Sequence, residues 1–300
     1  GVFVSNKLRK MTLEKKHNLT GWAFLAPATF LIAVFSFWPM IKALVLSFQT
    51  GKGRNMQMAG FTNYIRMFQD DVFIQSIKNT FFYFILQVPI MLVVAMVLAC
   101  ILNKKDLRFK GFFRTMIFLP CTTSLVAYSI IFRSLFANNG LVNYVLVNLG
   151  ILDKPYNFLT QPFAAKIVII LALLWRWTGY NMVFFLSGLQ NIEYSVYEAA
   201  KIDGASAIQT FFKITVPLLK PTILLTAIMS TNGTLQLFDE SINLTDGGPA
   251  NASISMSHYI YNLCFKYVPN FGYAAAMSFF ILLLVAVLAF IQMRVGDKRD

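Results

Sequence analysis

Apolar residues along this chain fall into six blocks, and polar residues collect between them. The blocks cover residues 22–44, 77–102, 111–132, 164–186, 221–238 and 273–293. A bilayer core of about 30 Å takes roughly 20 apolar residues in helical form. Only helices and closed barrels satisfy their backbone groups in lipid. These blocks are too long and too uniformly apolar for barrel strands, so the pattern predicts an all-α integral membrane protein with six transmembrane helices. The first block is too long for the apolar core of a signal peptide and is expected to remain as a span. Its Pro27 and Pro39 are tolerated where neighbours re-satisfy the freed carbonyls.

The stretches between the blocks are mostly short. Residues 1–19 read as a polar tail, residues 20–293 as one six-span domain, and residues 294–300 as a second tail. Residues 61–68 (FTNYIRMF) carry aromatics suited to the membrane interface, and residues 140–149 are too short to span. Gly247-Gly248-Pro249 is a turn signal. The segment 190–220 is much longer than a turn and has a pattern of its own.

Composition agrees with this picture. Charged residues make up 13% of the chain and apolar ones 57%, against about 25% charged in soluble chains. The net charge of +13 raises nucleic acid as a partner, but its distribution argues against one. Lys7, Arg9, Lys10, Lys15 and Lys16 precede the first block. Lys104, Lys105, Arg108, Lys110 and Arg114 separate the second from the third, and Lys201, Lys213 and Lys220 the fourth from the fifth. Arg294, Lys298 and Arg299 close the chain. An alternating thread puts all of these on one side, where cytoplasmic segments collect Lys and Arg. Both ends are therefore expected in the cytoplasm. Lys52, Arg54, Arg66, Lys154 and Lys266 fall on the other side.

Three scattered cysteines and two distant histidines offer neither a disulfide framework nor a metal cluster. No phosphate-cradling glycine loop or HExxH pair occurs, and no cluster of acidic residues or histidines lies inside the blocks. The chain is expected to carry out no bond chemistry, and any energy source must sit in another subunit.

Two blocks hold polar groups that lipid does not tolerate. Arg176 lies near the middle of the fourth, where an arginine costs at least about 2.5 kcal/mol, so it faces either a water-filled path or a buried partner. Gly179 and Tyr180 follow on the same face. The fifth block contains Thr226, Ser230, Thr234 and Leu237 on one face, with Asn232 and Gln236 on another. Hydroxyls and amides match the many donors and acceptors of a sugar, and they also serve interhelical packing. Thr122, Thr123 and Ser124 after Pro120 are weaker candidates.

The segment between the fourth and fifth blocks reads NIEYSVYEAAKIDGASAIQTFFKITVPLLKP. Asp203-Gly204 predicts a break between two short helices, and Ser206 can cap the second. Ile208, Phe211 and Phe212 share one face of that second helix. On these features alone the face either seeks a partner or tucks under the chain's own bundle.

Glu198-Ala199-Ala200, three residues, Gly204, nine residues, Ile214, one residue and Val216-Pro217 resembles the EAA loop of binding-protein-dependent ABC importer permeases. Val216 stands where that family has leucine. Lys78-Asn79-Thr80-Phe81, Phe118-Leu119-Pro120, Trp177-Thr178-Gly179-Tyr180-Asn181-Met182 and Leu244-Thr245-Asp246-Gly247-Gly248-Pro249 extend the likeness across residues 20–293, toward the carbohydrate, maltose-like group. The resemblance implies a type I ABC importer permease fold in a bacterial cytoplasmic membrane. It implies a second permease, two cytoplasmic ATPase subunits that bind ATP and magnesium, and an extracytoplasmic sugar-binding protein. This chain would hold no cofactor. Glu198, Ala199, Ala200, Asp203, Gly204, Ile208, Phe211, Phe212, Ile214 and Pro217 would form the ATPase contact. Arg176, Gly179, Tyr180, Asn181, Thr226, Ser230, Thr234, Gln236, Leu237 and Thr122 would line the path. A related importer for a non-sugar solute or a charged sugar is the alternative, since Arg176 suits an anion.

Overall fold

The structure is a computed structural model that describes residues 12–52 and 55–296. The basic residues before Thr12, Arg54, Lys298 and Arg299 lie outside these. Helix α1 (Leu13–Ile32) runs through a π-helical turn (Ala33–Phe37) into α2 (Trp38–Ser47). A short antiparallel hairpin follows, β1 (Gln49–Lys52) and β2 (Asn55–Met58), with Thr50 opposite Gln57. The remaining helices are α3 (Thr62–Met67), α4 (Asp71–Asn103), α5 (Lys110–Thr122), α6 (Leu125–Leu135), α7 (Leu141–Asn148) and α8 (Pro162–Gln190). Beyond these come α9 (Tyr194–Ile202), α10 (Ala207–Thr210), α11 (Val216–Leu218), α12 (Lys220–Leu235), α13 (Asp239–Thr245), α14 (Met256–Tyr261) and α15 (Phe271–Gly296).

Four helices are long and apolar enough to cross a membrane, at His17–Ser47, Asp71–Asn103, Pro162–Gln190 and Phe271–Gly296. Two bent helix pairs, Lys110–Thr122 with Leu125–Leu135 and Ala207–Leu218 with Lys220–Leu235, bring the number to as many as six where each pair makes one span. The third span is not straight: α5 and α6 meet at 98°. The bend falls after Pro120, where Thr123 leaves the helix with extended backbone and the hydroxyls of Thr122 and Thr123 fold back onto the carbonyls of Leu119 and Pro120. The fifth span turns by 70° where the segment Ala207–Leu218 enters α12.

Helices α4 and α8 pack along most of their length and form the spine of the bundle. Met91, Ala95, Ala99, Met182, Phe185 and Leu189 fill the seam between them. The α1–α2 helix contributes almost nothing to this core: Trp22, Phe24, Phe30 and Phe35 are each more than half exposed. Helix α2 packs on α15, whereas the exposed apolar surface of α1 belongs against lipid or another subunit.

The hairpin end of the bundle is tied by hydrogen bonds. Asp70 caps α4 by accepting from the amides of Val72 and Phe73. Its other oxygen accepts 2.7 Å bonds from the hydroxyls of Tyr259 and Tyr273. Burial pushes the Asp70 carboxyl up, but these bonds outweigh it and hold the group below the usual range. Asn79 Nδ2 donates to the carbonyls of Asn251 and Ile254, and the Tyr83 hydroxyl to that of Ser253, so the 247–255 loop is laced to α4.

His258 is fully buried in this knot, its Nδ1 2.9 Å from the Ser241 hydroxyl. Burial pushes the imidazole down to about 4, although Asp246 pulls the other way. The unfolded chain takes up this proton near pH 6.5, the folded one only near 4. The unfolded state therefore binds more protons between these values, and stability falls as pH drops through that window. The melting temperature in detergent should decline from pH 6.5 to 4.5, and His258→Asn should flatten the decline. An unchanged slope in the variant would remove His258 from the account.

Candidate functional site

A cavity of about 340 Å³ opens between α4, α8, α12 and α13, toward the hairpin end. Apolar side chains, Met91, Leu125, Leu173, Met229 and Phe238 among them, share its wall with a set of polar ones. Gln87 of α4 is buried and its Oε1 accepts a 2.9 Å bond from the Thr234 hydroxyl of α12. Asn181 of α8 donates to the Trp177 carbonyl, while its Oδ1 accepts from Ser230 of α12 at 3.3 Å. These bonds fix the amide faces by joining three helices. Trp177 and Tyr180 meet edge to face with centroids 5.8 Å apart and add aromatic surface. Gly233, Gln236, Leu237, Asp239 and Glu240 complete the far side.

Of the path candidates, Tyr180, Asn181, Ser230, Thr234, Gln236 and Leu237 line this cavity, and Arg176, Gly179, Thr226 and Thr122 do not. Arg176 turns to the end of α5, where Nη1 donates to the Thr123 carbonyl at 2.8 Å and Nη2 to that of Cys121 at 3.4 Å. Its guanidinium stands 4.8 Å from the Tyr128 ring centre and 5.3 Å from that of Trp177. It therefore satisfies carbonyls that the bend leaves open. Thr226 returns its hydroxyl to the carbonyls of Thr222 and Ile223. Gly179 sits where α8 crosses α5, under the carbonyl of Ile117.

Gln87, Asp239 and Glu240 are lining residues that sequence reasoning missed. Gln87 had a visible signal, a lone amide in the second apolar block. The two acids follow the fifth block and read as loop.

The segment after α8 folds as its glycine and serine predict. Gly204 takes φ +74°. The amide of Ala205 bonds to the carbonyl of Ala200, and that of Gly204 to Lys201, the paired bonds of a Schellman stop. Ser206 and Gln209 then form a capping box that starts α10. Glu198, Ala199, Asp203 and Pro217 are exposed, whereas Ala200 is buried and Ile214 half-buried. The apolar face divides. Phe211 packs inward against the α4–α8 core, while Ile208 and Phe212 remain 72% and 65% exposed. Ile202, 85% exposed, joins them. The Lys105 ammonium lies 3.5 Å from the Tyr194 ring centre and ties the segment to the α4–α5 connection.

A family model described as binding-protein-dependent transport system inner membrane component matches residues 70–299. The chain belongs to this family. It is a permease component of an ABC importer, a multi-pass membrane protein and a transport subunit rather than an enzyme. A lactose transport system permease protein from Rhizobium radiobacter is 51% identical over 292 residues, covering 97% of this permease and 98% of the relative. A multiple sugar-binding transport system permease protein from Streptococcus mutans is 34% identical, with 96% and 99% covered. A bacterial ABC transporter that imports the acidic polysaccharide alginate shares the fold at a TM-score of 0.83 and 24% identity, covering 96% of this permease and 98% of that chain. The same type of transporter, solved with an alginate-bound periplasmic protein, gives 0.82 at 25% identity, with 95% and 96% covered. The type I importer permease fold expected from the sequence is the fold observed.

Proposed function

We propose that this permease forms half of the translocation path of an ATP-driven oligosaccharide importer and is driven through its EAA segment. The cavity carries the reading: amides and hydroxyls from α4, α8 and α12 converge beside Trp177 and Tyr180. Such a wall offers a sugar hydrogen bonds for its hydroxyls and aromatic surface for its apolar ring face. The sugar-transport names of the relatives point the same way, lactose among them.

The assembly holds a second permease, two ATPases and an extracytoplasmic binding protein. The second permease and lipid cover the apolar flank of α1–α2. The α9 end, where the basic connections gather, faces the cytoplasm together with both ends of the chain. There the exposed Ile202, Ile208 and Phe212 dock on an ATPase, with Glu198 and Gly204 at the contact. ATP and magnesium bind that partner. ATP prefers the closed ATPase pair, and this difference in affinity shifts the spans between their inward and outward states.

Uptake of labelled lactose by the complete importer tests the path. Asn181→Leu removes the acceptor for Ser230 and a sugar-facing amide. Uptake should fall about tenfold or more, the effect of losing one or two buried hydrogen bonds. ATPase copurification should not change. Uptake equal to the parent's would remove the cavity from the path.

A further inference from the structure

Charge in the cavity wall runs opposite to the first reading of Arg176. Among the described residues, no lysine or arginine lines the cavity; Asp239 and Glu240 do. Arg176, behind the wall, is 6% exposed and committed to the carbonyls of Cys121 and Thr123. It lies behind Tyr128, whose hydroxyl donates to Glu240 Oε1. Tyr128 and Arg176 thus stand behind the lining residue Glu240 and engage its buried carboxyl from outside the cavity. Asp239 is left over. It is half-buried, and its carboxylate has no hydrogen-bond or ion-pair partner among the described residues. The wall therefore presents net negative charge where polar solutes meet Gln236 and Thr234.

We propose that Asp239 sets the charge selectivity of this path, so that it passes uncharged glycans and excludes anionic ones such as uronates and aldonates. The inference rests on the cavity being the sugar path. A carboxylate brought within about 4–6 Å of Asp239 meets like-charge repulsion that grows as the effective dielectric falls below that of water. A neutral hydroxyl at the same place gains an acceptor. Glu240 contributes less, because Arg176 and Tyr128 engage it.

The test uses the complete importer purified in detergent without its binding protein, which would impose its own selectivity. Trp177 quenching reports binding of lactose, lactitol and lactobionate. Lactitol and lactobionate share an open-chain form and differ by a hydroxymethyl against a carboxylate. We expect lactobionate to bind about tenfold more weakly than lactitol. Asp239→Asn should bring the two within about threefold, and a melting temperature equal to the parent's shows that the variant folds. Equal affinities in the parent, or a ratio unmoved by Asp239→Asn, would overturn the charge filter while leaving the path. Failure of all three to bind the parent, with no effect of Asn181→Leu on uptake, would overturn the path and the filter with it.

Discussion

Gly204→Asp is expected to leave the permease folded in the membrane and to strip it of its ATPase. Gly204 holds φ +74°, and a β-carbon added there meets open space. The cost inside this chain is therefore backbone strain alone. Aspartate adopts the left-handed region more readily than most residues, at a cost of about 1–2 kcal/mol. The Schellman bonds from Gly204 and Ala205 use backbone groups and survive the change. On the outside, the side chain adds bulk and a negative charge between the exposed Glu198 and Ile208, at the proposed contact. Substitution at the centre of a docking surface commonly costs about 2 kcal/mol or more, roughly a thirtyfold loss of affinity. Copurification with the ATPase and sugar-dependent uptake should be lost together. The melting temperature of the isolated subunit should stay within a few degrees. ATPase retained at the parent's level would take the contact away from this segment. A collapsed melting temperature would instead make Gly204 a folding residue.

The same contrast shows what could be read along the chain. Hydropathy located every span, because burial in lipid is a property of local composition. The stop at Gly204 and the restart at Ser206 were legible because capping uses residues within five positions of one another. The bend at Thr123 was not legible. Pro120 weakens the helix there, but the bend is held by Arg176, more than 50 residues away, donating to the freed carbonyls. In the hairpin, only the strand Asn55–Met58 alternates polar and apolar residues, and its partner Gln49–Lys52 is polar throughout, so the pair did not stand out from loop. Asp239 and Glu240 were hidden because a charge just past an apolar block looks the same whether it meets solvent or turns into a cavity. Phe211 and Phe212 share a helix face by spacing, yet they part. The π-helical stretch Phe211–Thr215 lies over the core, and only the packed structure decides which ring enters it.

Gly179 was read as a path residue, and its position in the fold leads to the second large expected effect. Gly179→Ala should destabilise the permease, although alanine is the better helix former by about 1 kcal/mol. A β-carbon there would overlap the Ile117 carbonyl and come within 3.0 Å of the Phe118 Cα. Both obstacles are backbone, so no rotamer change relieves them. Helices α5 and α8 must separate, and overpacking of this kind costs about 1–3 kcal/mol. The separation does not stop at the glycine. Arg176, one turn earlier on α8, holds the carbonyls of Cys121 and Thr123 at the end of the same α5 helix. Drawing it back by an ångström breaks those bonds and leaves buried guanidinium donors unpaired, which adds about 1–3 kcal/mol or more. The combined loss should lower the melting temperature in detergent by about 5 °C or more. Gly233→Ala provides the comparison, because its β-carbon meets nothing within 4 Å, and that variant should be unchanged or slightly stabilised. Two glycines in neighbouring spans would then respond in opposite directions. Helix propensity predicts the same sign for both, so the difference measures the crossing of α5 and α8. Equal melting temperatures for the two variants would mean that the helices yield, and that Arg176 keeps its carbonyls without Gly179 to bring them close.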